Sequence, residues 1–229
     1  MQNWNKMRNI SGYYFRWAMV FLMLLTIRVG SAQDTLRTFG PRIGLDLSRF
    51  AYIFFDPSEI GAELSVDMEV YRNLYPVLEI GYSTLDESEG DFDYTMSGTY
   101  GKLGADYNVL HQKDRSVHHS LTVGARYGMS HFNHQAQNVT IPSEYWGDYL
   151  LESYDNTLTG HWVELVGAIK TELFPNFFLG WSIRYKLLIN PQMDPLFTPL
   201  IVPGYGRGSR DRGIGFTYSV YYKIPLLKR

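Results

Sequence analysis
Apolar and polar positions alternate along most of this chain, most cleanly at residues 61–70. Ala62, Leu64, Val66, Met68 and Val70 fill the even positions, and Gly61, Glu63, Ser65, Asp67 and Glu69 the odd ones. Successive side chains of a strand point to opposite faces, so the segment predicts a strand with one apolar and one charged face. Seven more segments carry the same period. Ile43, Leu45 and Leu47 oppose Arg42, Asp46 and Ser48; Leu74, Leu78, Ile80 and Tyr82 oppose Tyr75, Glu79, Gly81 and Ser83. A less regular fourth segment sets Leu103, Ala105 and Tyr107 against Lys102, Gly104, Asp106 and Asn108. The fifth sets Leu121, Val123, Ala125, Tyr127 and Met129 against Ser120, Thr122, Gly124, Arg126 and Gly128. Val163, Leu165 and Ile169 then oppose Glu164, Lys170 and Glu172, and Leu179, Trp181, Ile183 and Tyr185 oppose Gly180, Ser182, Arg184 and Lys186. In the eighth, Ile214, Phe216, Tyr218, Val220 and Tyr222 oppose Gly213, Gly215, Thr217, Ser219, Tyr221 and Lys223.

The connections are of two kinds. Short ones near 72–73, 110–115 and 174–176 alternate with long ones near 50–60, 84–93, 132–158 and 189–211. An even strand number, with tight turns at one end and long loops at the other, is the arrangement of an antiparallel up-and-down transmembrane β-barrel. The expected fold is all-β, an eight-stranded barrel over residues 41–225. Its apolar faces meet lipid, where a charge near the midplane costs ~2–4 kcal/mol, and its charged faces line the lumen. The inward set holds the acids Asp46, Glu63, Asp67, Glu69, Glu79, Asp106, Glu164 and Glu172 against the bases Arg42, Lys102, Arg126, Lys170, Arg184, Lys186 and Lys223. Side chains fill a barrel of this size. Near-balanced charges inside it are expected to pair, because a lone buried charge is costly. The expectation is a plugged lumen with no wide pore.

The N-terminal pattern changes the compartment. Lys6, Arg8 and Arg16 precede an apolar run from Trp17 to Ile27, and Gly30 and Ala32 are small. That is a secretory signal peptide, residues 1–32, cleaved after Ala32; a run of about 11 residues is short of the ~20 that span a bilayer as a helix. Residues 33–40 are then a periplasmic segment and 226–229 a short basic tail. With no Cys in the chain, neither a disulfide nor a thiolate metal site is available. The net charge of -2 leaves no basic excess for a nucleic-acid partner. Aromatics reach 16%, and those near strand ends match interfacial belts: Tyr71, Tyr75, Phe174, Phe177 and Phe178 at the turns, Tyr82, Tyr94, Phe132 and Trp162 at the other rim.

The leader, strands and loop pattern together resemble small outer-membrane barrels of the OmpA and OmpX type. More narrowly, Ile43-Gly44-Leu45-Asp46-Leu47-Ser48, Leu78-Glu79-Ile80-Gly81-Tyr82, Lys102-Leu103-Gly104-Ala105-Asp106-Tyr107-Asn108 and Gly124-Ala125-Arg126-Tyr127-Gly128 resemble an uncharacterised barrel family of Bacteroidota. The resemblance covers most of the chain after the leader. It implies the fold and the bacterial outer membrane, with long loops extracellular and short turns periplasmic, and it supplies no catalytic residue. Some barrels of these bacteria are accessory subunits of envelope machines for barrel assembly or secretion, a role carried here by analogy. One departure is the end of the chain, Ile224-Pro225-Leu226-Leu227-Lys228-Arg229, where many such proteins end on an aromatic; the last strand is expected to stop near Ile224.

The expected function is therefore that of a non-enzymatic structural or interaction protein. The alternatives are a lipid-modifying enzyme and a narrow channel. A Ser nucleophile needs a His base within hydrogen-bond reach. His118 and Ser120 share a face but lie at the periplasmic end; Ser130, His131 and His134, with Asp148 and Glu152, lie at the rim facing the outer leaflet. The acidic stretch Asp86, Glu87, Glu89, Asp91 and Asp93 lacks EF-hand spacing, so no metal and no cofactor are expected. Arg207, Arg210 and Arg212 are candidates to grip lipopolysaccharide phosphates. Tyr145, Trp146, Tyr149 and Tyr154, with Phe197 in the apolar stretch 195–203, are expected to bind an outer-membrane or periplasmic protein, since exposed Tyr and Trp favour partners. The alternative is that these two loops cap the barrel.

Overall fold
The computed structural model describes residues 38–228 apart from 53–56, 90–91, 111–118, 142–148, 191–192 and 195–196; the expected signal peptide, residues 1–32, lies outside the described residues. Eight strands form a closed barrel: β1 (Arg42–Asp46), β2 (Glu59–Asp67), β3 (Leu74–Glu89), β4 (Phe92–Asn108), β5 (Ser120–Ile141), β6 (Tyr149–Phe174), β7 (Phe177–Leu188) and β8 (Arg212–Lys223). Each pairs antiparallel with its neighbour in the chain, and β8 closes on β1. The paired row that starts at Arg212 passes through Leu187, Val163, Tyr127, Leu103, Leu78, Val66 and Ile43. It returns to β8 at Tyr222, ten residues along the strand. This stagger is the tilt that closure of a small barrel requires. Beyond Arg212 every member of the row is an apolar or aromatic outward residue, so it traces the lipid-facing wall.

Strands β3 to β6 are much longer than the ~9–11 residues that cross a bilayer, reaching 26 residues in β6. Most of the segments expected as loops 84–93 and 132–158 are strand. The reason is an inversion of the alternation. Low on β5, Leu121, Val123, Tyr127 and Met129 face out while Arg126 is buried. From His131 upward the outward residues are polar, His131, Asn133, Gln135 and Gln137, and Phe132, His134 and Ala136 are buried. Neighbouring strands switch with it: Thr84, Ser97, Asn133 and Thr157 pair in one outward row, and Asp86, Thr95, Gln135 and Asp155 in the next. Inside, Leu85, Tyr94, Met96, Phe132, Leu158 and Trp162 form one apolar cluster. The barrel thus has a lipid-facing storey with a charged lumen and, above it, a water-facing storey with an apolar core.

β1 is shorter than the alternation from Arg42 to Ser48 predicts, ending at Asp46. Asp46 Oδ1 accepts from Ser48 N at 2.9 Å and Ser48 Oγ at 2.5 Å, which turns the chain into a short helix, α1 (Ser48–Tyr52). The segment before the barrel and the basic tail after it pair with each other, Thr38 with Lys228 and Phe39 with Leu227.

Two turns at the opposite end are built alike. Asn73 and Asn176 have φ of 63° and 67°, and their N–H groups donate to Glu69 and Glu172, four residues earlier, at 3.2 and 2.7 Å. Glu69, expected in the lumen, therefore lies past the end of β2, which stops at Asp67, whereas Glu172 remains in β6, paired with Phe178 just before the bulge at Phe174. Asn tolerates the left-handed region far better than a β-branched residue. Asn73→Val or Asn176→Val is expected to destabilise the barrel by ~1–2 kcal/mol, and Asn→Gly much less, in urea titrations of the detergent-folded protein.

Candidate functional site
The lumen holds a network of ion pairs centred on Arg184. Its Nη1 lies 2.5 Å from Glu79 Oε2 and 3.2 Å from Glu164 Oε2, and its Nη2 donates to Glu79 Oε1 at 3.1 Å. Lys102 Nζ sits between Glu63 (2.8 Å) and Glu79 (3.1 Å). Arg126 reaches Glu79 through Nε at 3.4 Å and Asp106 through Nη1 at 2.8 Å. Tyr100 donates to Glu63 at 2.7 Å and Trp162 Nε1 to Glu164 at 2.7 Å. Room for that indole comes from its cross-strand neighbour Gly128, where a Cβ would collide with the ring. Four carboxylates thus meet four cations, Lys186 being the fourth, 3.9 Å from Glu164. Such a cluster is tolerable only because its groups satisfy one another.

A second layer lies toward the short turns. Asp67 takes Arg42 Nε at 2.5 Å and Lys170 Nζ at 2.6 Å. The cations of this layer also lie over rings: Arg42 over Tyr75 at 4.6 Å, Lys170 over Tyr221 at 4.5 Å and Lys223 over Phe178 at 5.5 Å. A cavity of about 10 Å³ lined by residues of both layers, including Asp67, Glu79, Arg126 and Arg184, has room for about one water.

Segment 189–211 closes the upper storey. A small hairpin, Ile201–Val202 with Gly206–Arg207, folds it, and Lys186 Nζ donates to Gly204 O (2.7 Å) and Tyr205 O (3.0 Å). Asp194 is buried and accepts from Tyr154 at 2.5 Å and Asn156 at 2.9 Å, with His134 Nε2 at 3.2 Å. His134 Nδ1 lies 3.4 Å from Tyr94 Oη, and Phe197 packs 6.0 Å from both rings. Burial pushes the His134 pKa down, against the pull of Asp194 upward. The folded cap thus favours the neutral ring while the unfolded chain titrates near the usual 6.5, so this contribution is full above that pH and is lost as pH falls through and below it. Hydrogen exchange in 189–211 is expected to quicken from pH 7 to pH 5, and His134→Gln to flatten that dependence.

Of the residues expected to form the charge network, Asp46, Glu63, Asp67, Glu79, Asp106, Arg126, Glu164, Lys170, Arg184 and Lys186 are buried in the barrel; Glu69 is in its turn. Asp46 serves α1 rather than an ion pair with the central cluster. Of the expected partner residues, Tyr154 and Phe197 are spent on the cap around Asp194. Tyr145 and Trp146 lie outside the described residues, as does the side chain of Tyr149. The rim Ser–His set is divided: Ser130 and His134 are buried, whereas His131 faces out and meets Thr159 at 3.3 Å. Arg207, Arg210 and Arg212 are exposed, with no carboxylate partner among the described residues. Asp194 and α1 were missed by the sequence reading; the signal for the first was a lone acid inside an apolar loop.

A family model described as a domain of unknown function, DUF6048, matches residues 3–229. No curated protein matches the chain. Among solved structures, Ail, the attachment invasion locus protein of Yersinia pestis, is similar at 10% identity and a TM-score of 0.43, covering 82% of this chain and 100% of its own. Acinetobacter baumannii CarO is similar at 10% identity and 0.38, covering 84% and 100%. Neisserial surface protein A is similar at 10% identity and 0.35, covering 80% and 94%.

Proposed function
The chain belongs to the DUF6048 family, and we propose that it is a non-enzymatic barrel of the bacterial outer membrane that acts as an interaction subunit of an envelope machine for barrel assembly or secretion. The observation that carries this reading is the use already made of its interior. The lumen charges hold one another, and segment 189–211 is tied into the mouth by Asp194 and Lys186. A transporting barrel needs an open path, and an acyl-transfer enzyme needs a Ser beside a free His. Here the cavity between the charge layers takes about one water, and both nitrogens of His134 face partners. What the barrel offers its surroundings is its surface, including the polar outer face of β3 to β6 above the apolar belt. The test is purification from native membranes in mild detergent, with mass spectrometry of what stays bound. A stable stoichiometric complex is expected, together with no step conductance of the pure protein in planar bilayers. A monomer free of partners would overturn the reading, and a large stable conductance would favour a channel.

A further inference from the structure
The outer wall of the barrel is hollowed where three strands meet lipid. A depression of about 310 Å³ is lined there by outward side chains: Ala125 and Tyr127 of β5, Val163 and Leu165 of β6, and Tyr185 and Leu187 of β7. The paired rows Ala125–Leu165–Tyr185 and Tyr127–Val163–Leu187 make these side chains neighbours. Ala125 forms the floor, because its short side chain stands beside longer ones. The volume falls at the lower end of small-molecule sites, ~300–1,000 Å³. The upper end of the groove carries polar groups. Tyr127 Oη lies 2.8 Å from His161 Nδ1, and the two rings stack with centroids 6.1 Å apart. Asn190 fixes the backbone at that point. Its Oδ1 accepts from His161 N at 2.7 Å and its Nδ2 donates to Thr159 O at 2.8 Å.

The same strands continue upward into a polar strip on the outer face. Its rows are Thr99, His131 and Thr159, then Ser97, Asn133 and Thr157, then Thr95, Gln135 and Asp155. All nine side chains are exposed or half-buried. Asn133 Nδ2 donates to Asp155 Oδ1 at 2.6 Å and to Thr157 Oγ1 at 3.3 Å, and Gln135 Nε2 donates to Asp155 Oδ2 at 2.9 Å. Both hydrogens of the Asn133 amide are thus used, which leaves its carbonyl oxygen as an acceptor. The strip offers hydroxyls, amides, an imidazole and one carboxylate, all held on strands. Hydroxyls both donate and accept, so the set suits a polyol. A phosphate would meet the Asp155 charge with no Lys or Arg in these rows to offset it. A protein partner gains most from an aromatic or apolar centre, which the rows lack. An apolar groove that runs up into such a strip matches the two halves of an amphiphile. We infer that this side of the barrel binds a neutral glycolipid of the facing leaflet. One acyl chain lies in the groove over Ala125, its linkage stands beside Tyr127 and His161, and its sugar lies on the rows from His131 to Asp155.

The inference rests on the membrane placement proposed above but not on any protein partner. The test uses the full protein in phosphatidylcholine nanodiscs and native mass spectrometry. The nanodiscs are doped with monogalactosyldiacylglycerol, with phosphatidylglycerol or with diacylglycerol, all of the same chain length. One galactolipid is expected to survive collisional stripping of the phosphatidylcholine, at least tenfold above either other dopant. Two variants separate the halves of the site. Ala125→Leu fills the groove from the lipid side and is expected to lower galactolipid retention at least tenfold. The double variant N133A/D155A unties the amides and is expected to bring the galactolipid down to the level of diacylglycerol. A heat-modifiable gel shift reports folding in each sample. Equal retention of galactolipid and diacylglycerol by the folded wild type, a preference for phosphatidylglycerol, or galactolipid retention unchanged in either variant overturns the glycolipid site. Each of those results leaves the proposed function standing, because that reading is tested by the proteins that co-purify. Failure of the wild-type barrel to insert in bilayers overturns the membrane placement instead.

Discussion
Replacing Arg184 with Met is expected to lower the unfolding free energy by ~3–5 kcal/mol, the cost of removing one partner from a buried ion pair. Arg184 touches Glu79 through both terminal nitrogens and also lies within 3.2 Å of Glu164 and 3.7 Å of Glu63. Its loss leaves three buried carboxylates facing the cations Lys102 and Arg126, which lie farther from Glu79 than Arg184 does. The uncompensated charge, more than the lost hydrogen bonds, sets the size of the effect. Glu79→Gln in the same background is therefore expected to recover a substantial part of it, although Glu79→Gln alone is destabilising. Urea unfolding of the detergent-folded barrel, followed by tryptophan fluorescence across the double-mutant cycle, measures the coupling. A single-variant loss under about 1 kcal/mol would show that the lumen is wet enough to screen the pairs and that Arg184 is no hub.

The charge network is the part of the molecule most legible in the sequence, because it needs only parity. Glu63, Asp67, Glu79, Arg126 and Arg184 all occupy the polar phase of a clean alternation, and a strand sends that phase to one side. Parity fails where a strand ends. Glu69 continues the pattern of 61–70 in phase, yet β2 stops at Asp67 and the chain turns toward Asn73. Parity also says nothing about which phase faces in. Residues 132–137 and 153–158 keep the period of two but exchange the apolar and polar phases, so they read as parts of a loop rich in Asn, Gln and Tyr. Below His131 the solvent outside is lipid and the interior polar; above it the solvent is water and the interior apolar. The same physics with the solvent exchanged gives the opposite pattern, and only the paired rows across β3 to β6 reveal it. Tyr154 and Phe197 were open to two readings for a related reason: an aromatic on an apolar loop suits a partner or a cap, and Asp194, which decides for the cap, is far from Tyr154 in the chain.

An arginine moved along β6 separates the two storeys. At Leu165, outward and 60% exposed within the apolar belt, it is expected to cost ~2–4 kcal/mol in bilayers, as a charge at membrane depth does. At Thr157, also outward but in the polar row with Asn133, it is expected to change stability by no more than ~0.5 kcal/mol. At Leu158, one residue further and buried in the apolar cluster beneath segment 189–211, it places an unpaired charge in a dry core. There the loss is expected to rival that at Leu165. The solvent tells the two costly sites apart. The penalty at Leu165 belongs to lipid and shrinks in detergent micelles, whose loose surface lets the charge reach water; the penalty at Leu158 belongs to the protein interior and is the same in both. Unfolding titrations of the three variants in vesicles and in micelles give all six values. An arginine at Thr157 as costly as one at Leu165 would put the lipid boundary above that row, and the inversion at His131 would then need another cause. Equal behaviour of Leu158 and Thr157 would mean that segment 189–211 does not fill the upper storey, and the closed mouth on which the proposed role depends would fall with it.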